Sequence, residues 1–150
     1  MSGCLGFDGK MYYNTGTNAL ATWVEITNAR DVSTTASADA AETSDRGSQF
    51  KNYCQGMIDL ETTTTLTYHN GDTVIEYLRD KFLNREFVQI AVLDGDVETS
   101  GTEGFVYFAH VTSNDFDQAM SEGMTVSITF KPAFVKESGV AIPPRWEVIS

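Results

Sequence analysis

A chain of 150 residues, 41% of them hydrophobic, can bury one core and is short for two. Its 21 acidic and 10 basic residues leave a formal charge of −11, which excludes a protein that holds nucleic acid by neutralising phosphates. No apolar run approaches the roughly 20 residues needed to span a bilayer, and the N-terminus is read as lacking a basic, apolar export leader. Cys4 and Cys54 are too few and too far apart for a disulfide framework or a zinc site, so reduced thiols are expected.

In chain order, the glycines of GCLGFDG, residues 3–9, follow no strand and open no helix, and are read as N-terminal turns. Two short strands follow, KMYYN and ATWVEI, around the turn TGTNAL. Thr22, Val24 and Ile26 share one face of the second, with Trp23 and Glu25 on the other. RDVSTT can continue as a third strand, and a polar stretch without large apolar residues then runs from 33 to 49. MIDLETTTTLTY is the clearest strand: Ile58, Leu60, Thr62, Thr64, Leu66 and Tyr68 alternate with Asp59, Glu61, Thr63, Thr65 and Thr67, so one face is polar throughout. One wet face is what antiparallel sheets tolerate.

The period then changes. Ile75, Leu78 and Phe82 recur at helical spacing, Thr73 to Glu76 matches a capping box, and Asn84 is a suitable stop. Three more strands follow, FVQIAVL, FVYFAHV and MTVSITFK, the last with Val126, Ile128 and Phe130 on one face. The tail from Pro132 carries Pro143 and Pro144, which forbid a central strand, and its Trp146, Val148 and Ile149 require docking on the chain's own core or on a neighbour. Between Arg85 and Lys131 there is no Lys or Arg, whereas acids including Asp94, Asp96, Asp115 and Asp117 fall there, a field of one sign.

No catalytic constellation emerges. The nucleophile elbow, the P-loop and H-E-x-x-H are absent, and His69 and His110 sit on different elements. DGDVETSGTEG has the first spacing of a calcium loop in Asp94, Asp96 and Glu98, but Thr99 and Phe105 stand where a glycine and a closing carboxylate are needed. It reads as an acidic hairpin tip, and neither metal nor cofactor is expected. An acidic pair for glycoside hydrolysis can be drawn from Asp59, Glu61 or Asp94, but nothing sets two across an apolar cleft. A β-domain recognising sugar or protein would need exposed aromatics, with Tyr12, Tyr13, Trp23 and Trp146 as candidates against the alternative of core packing.

The order of elements resembles that of phage tail tube proteins. The resemblance is carried by the stretch from WVEIT to TTLTY, by DTVIEYLRDKFLN, FVQIAVLDGD and MTVSITFKP, with an E-x-x-D-R type loop at Glu42 to Arg46 and Y-x-x-G at Tyr53 to Gly56. It implies a single domain over 1–150, mainly β (α+β): an antiparallel sandwich or barrel with one flanking helix, a long polar inter-subunit loop at 33–51 and a C-terminal arm at 132–150. It further implies a non-enzymatic subunit of homo-hexameric rings stacked into a tube through which DNA passes without specific binding, with tail terminator, tape measure and tail-tip proteins as partners. The expected location is the virion tail, after synthesis in the bacterial host cytoplasm and with no membrane; contractile and non-contractile tails both stay open, the non-contractile slightly favoured. Asp39, Glu42, Asp45 and Arg46 are then the expected loop contacts between rings, with Phe50 and Tyr53 anchoring the loop's return. Asp59, Glu61, Asp94 and Asp96 are the candidate lumen-facing acids, since a carboxylate lining repels phosphates.

Overall fold

A computed structural model describes residues 9–118, 120 and 123–149; the expected N-terminal turns up to residue 8, and Cys4, lie outside them. The elements are β1 (Lys10–Asn14), β2 (Trp23–Glu25), β3 (Ala29–Glu42), β4 (Tyr53–Thr67), α1 (Thr73–Leu83), β5 (Phe87–Leu93), β6 (Glu103–Asp117), β7 (Thr125–Pro132), β8 (Lys136–Glu137), β9 (Val140–Ala141) and β10 (Arg145–Val148). One antiparallel sheet takes the order β2-β1-β5-β6-β7-β4-β3, with β10 added beside β6, and β8 and β9 form a separate hairpin. The expected mainly β fold forms, as one curled sheet with a single helix among the described residues.

The curl follows from connectivity. β2 and β3 lie at opposite edges of the sheet, yet only residues 26–28 join them, so the two edges meet within about 14 Å. The Ile26 amide donates to the Met11 carbonyl at 2.8 Å, and the Thr67 amide to the Asn28 carbonyl at 2.9 Å, which ties the link to strands on both sides of the seam. Inside the curl, Leu66, Ile90, Tyr107, Ile128 and Phe130 are fully buried with Val74, Ile75 and Leu78 of α1. Asp72, not Thr73, is the N-cap: its carboxylate accepts from the amides of Val74 and Ile75, at 2.9 and 3.5 Å. It has the better acceptor for orphan amides at a helix start.

The outer face of the sheet divides in two. Over β1, β5 and the first half of β6 it is covered, with Tyr12, Ala91, Leu93 and Val106 packed against Trp23 and Val97, and Phe108 packed against Ala133 and Val135 of the C-terminal arm. β5 is therefore buried on both faces, which explains its nearly unbroken apolar sequence. Gln89 is buried there because the Asn14 amide donates to its Oε1 at 2.7 Å, while Asn14 Oδ1 accepts from the amides of Gly16 and Thr22. The C-terminal arm docks on its own chain: β10 pairs with Glu103 to Val106, the Gly101 amide donates to the Ile149 carbonyl at 2.7 Å, and the Ile149 amide donates to the Thr102 carbonyl at 2.7 Å. Pro144 directly precedes this strand, which has a partner on one side only.

The polar stretch from residue 33 is where structure and sequence reading part. It is not a loop: β3 pairs with β4 from Ala29↔Leu66 out to Glu42↔Tyr53, leaving only residues 43–52 as the turn. Every residue from 35 to 59 is exposed, so the hairpin stands off the body as a two-stranded arm. Two wet faces leave no period for the sequence to display, and backbone pairing alone defines the strand.

Candidate functional site

The outer surface left bare is a panel of four strands, β3, β4, β7 and the second half of β6. Alternation sets its chemistry. Leu60, Leu66, Val126, Ile128 and Phe130 point inward, so their neighbours in sequence point out. In β6, a register shift at Thr112 exchanges the two faces, turning Asn114 and Phe116 inward opposite Ile128 and Val126, and Ser113, Asp115 and Asp117 outward. The outward residues form rows across the panel: Asp115, Ser127, Thr65, Asp31, and beside it Ser113, Thr129, Thr63, Ser33. Asp117 extends the face at one end; Glu61 opposite Thr35 and Asp59 opposite Ser37 extend it at the other.

This face holds hydroxyls and five carboxylates against one cation, Lys131, whose Nζ lies 3.4 Å from Glu61. Large apolar side chains are missing from these rows, and nothing among the described residues covers them. From behind, Tyr107 donates to Thr62 at 2.5 Å, Thr62 and Thr34 are joined at 3.1 Å, and Thr64 donates to the Asp31 carbonyl at 3.0 Å. Burial pushes the Tyr107 phenol up to about 12, the Thr62 hydrogen bond opposing it. These bonds fasten β3 and β4 to the core, so the panel is held as a rigid wall up to the point where the arm departs.

The panel has two open edges. β5 pairs with β6 only over 104–110, so residues 111–117 have β7 on one side and no strand on the other; β3 has β4 alone. Four alternating strands leave β3 antiparallel to β6, the condition for an edge of one copy to continue the ladder of the next.

The expected site residues divide by place. Asp59 and Glu61 belong to the panel face. Asp94 and Asp96 do not join them: Asp94 Oδ1 accepts from the Glu103 amide at 3.0 Å, Asp96 Oδ1 from the Glu98 amide at 2.9 Å, and Asp96 lies 3.7 Å from Lys10. They close the β5–β6 turn, about 40 Å of strand from Asp115. Asp39 and Glu42 lie on the arm and Asp45 and Arg46 in its turn, where Asp45 Oδ1 accepts from the Gly47 amide at 2.8 Å. The side chains of Phe50 and Tyr53 are exposed, and Tyr53 opens β4 opposite Glu42. Asp31 is the panel acid not named from sequence; Asp115 and Asp117 were named only as part of the stretch of one sign, because the register shift at Thr112 that turns them outward carries no mark in sequence.

Of the aromatics considered for a recognition surface, Tyr12 and Tyr13 are core residues, Trp23 packs on Tyr12's cluster, and Trp146 stacks edge-on against Phe105 with ring centroids 5.0 Å apart. No group of three or more His, Cys, Asp or Glu among the described residues is arranged to hold a metal, and none of the described helices is long and apolar enough to cross a membrane.

This curled antiparallel sheet, with one helix among the described residues, matches the mainly β, α+β fold of solved phage tail tube structures. The SPP1 tail tube superposes with a TM-score of 0.74 at 12% identity, over 97% of this chain and 80% of that one. A chain of the native gene transfer agent virion gives 0.68 at 16% identity, and one from the C6-symmetric tail of the empty gene transfer agent particle gives 0.70 at 16%, each over 87% of this chain and 95% of its own. No family model matches the sequence, and no curated protein matches it.

Proposed function

We propose that the chain is a structural subunit of a phage or phage-like tail tube, with the panel of β3, β4, β7 and the second half of β6 as its share of the inner wall. The observation that carries this is the panel itself: a hydroxyl and carboxylate face, bare of cover among the described residues, on a sheet whose two open edges run antiparallel to each other. A heterologous contact between β3 of one copy and β6 of the next closes into a ring when rotation permits. Six copies, the symmetry of the gene transfer agent tail, would bring together about 24 strands; at about 4.8 Å spacing and about 40° tilt these close to roughly 50 Å across at the backbone.

Asp31, Asp59, Glu61, Asp115 and Asp117 then face the lumen, where fixed negative charge keeps phosphate backbones off the wall and DNA passes without sticking. Asp94 and Asp96 fall to the outside of this arrangement. The arm, with Asp39, Glu42, Asp45, Arg46, Phe50 and Tyr53, is the contact between stacked rings, a paired hairpin in place of the expected polar loop. The same reading places the protein in the virion tail after synthesis in the host cytoplasm, beside terminator, tape measure and tip proteins, and gives it no catalytic step.

Electron microscopy of the purified protein over a range of concentrations, with light scattering for mass, tests the reading. Hollow rings or tubes of uniform width are expected. A monomer at every concentration would refute it.

A further inference from the structure

Resting on the tube reading, we propose that the groove between α1 and the far end of β6 receives the arm tip of a second copy, in the next ring. The groove, about 440 Å³, is lined by Tyr68, Ile75, Arg79, Phe82, Leu83 and Phe116. Ile75, Arg79, Phe82 and Leu83 lie on one helical face, yet Leu83 is 66% and Phe116 48% exposed, an apolar surface that the single chain leaves open. Asn114, also in its lining, holds a buried amide nitrogen with no acceptor.

Position, exposed apolar side chains and charge together identify the occupant. The arm presents Phe50, Tyr53, Met57 and Ile58, from 59% to 90% exposed, beside Glu42 and Asp45. Those two acids make no ion pair among the described residues, and neither does Arg79 at the groove. The arm tip and the groove sit at opposite ends of β4, whose 15 residues span about 50 Å, so a chain cannot fill its own groove. A copy displaced along the strand can. Such a head-to-tail contact leaves one tip and one groove open at every step and repeats without closing, which is the requirement for stacking rings. The exposed Phe134 and Trp146 are weaker candidates, since β10 holds Trp146 in its own ladder at the opposite end of β6.

The test compares the full-length wild type with Leu83→Asp/Phe116→Ser and with Arg79→Glu, by negative-stain microscopy and sedimentation, with a thermal melt to confirm folding. The first variant is expected to stop at single rings. Arg79→Glu is expected to shorten tubes at least tenfold at equal concentration, and adding Glu42→Lys and Asp45→Lys is expected to restore their length. Tubes of wild-type length from Leu83→Asp/Phe116→Ser, or loss of rings as well as tubes in that variant, would overturn the groove assignment while leaving the tube reading in place. A wild type that forms neither rings nor tubes would overturn both.

Discussion

Arg85 adopts φ 59°, one residue beyond the helix cap Asn84, and its amide and that of Glu86 close back on the carbonyls of Phe82 and Lys81. This is the left-handed helix ending that glycine fills without strain, so Arg85→Gly should raise stability by about 0.5–1 kcal/mol in denaturant unfolding. Asn84 as a stop was legible in sequence; the strained residue after it was not, because arginine gives no signal for positive φ. Tyr107 carries a second residue-scale prediction. Burial pushes its phenol up to about 12, against about 10 unfolded, so between those values the unfolded chain releases a proton that the folded chain keeps. Its contribution is intact below about pH 10 and falls as pH rises, by on the order of 2–3 kcal/mol at pH 12. Tyr107→Phe loses the hydrogen bond to Thr62, about 1 kcal/mol at pH 7, but also the alkaline penalty. Unfolding free energies of the two proteins should therefore converge above pH 10 and change order by pH 12, where the alkaline loss exceeds the hydrogen bond; a constant gap to pH 12 would contradict this.

At the scale of elements, the arm separates what sequence reveals from what it hides. β4 was legible from Met57 on because Leu60, Thr62, Thr64 and Leu66 alternate against a core; β3 was legible only over its first part, RDVSTT, because from Thr35 to Glu42 every residue is exposed and the partner strand is all it meets. The same reasoning explains β6, where Phe105 to Val111 reads as strand and the continuation to Asp117 is masked by the register shift. Since residues 35–59 are all exposed, replacing 36–58 by a short turn should leave the melting temperature within about 5 °C. The same variant should lose stacking, since the shortened hairpin no longer reaches a neighbouring ring. A collapse of the fold on excision, measured by circular dichroism, would show that the arm supports the core.

For the whole molecule, net charge was legible and its placement was not. The charge of −11 pointed to an anionic lining, and only pairing register sorts Asp59 and Glu61 onto the panel and Asp94 and Asp96 off it. Reversing three panel acids, Asp59→Lys, Glu61→Lys and Asp115→Lys, should leave assembly intact and make tubes retain DNA, with affinity falling steeply as salt rises. Reversing Asp94 and Asp96 in the same way should produce no retention. The most direct measurement is a cryo-electron microscopy map of the assembled protein. The expected map is a hollow tube with β3 of each copy paired to β6 of the next and Asp31, Glu61 and Asp115 facing the lumen. A tube whose hydroxyl and carboxylate face points outward, or whose β3 edge stays unpaired, would contradict it.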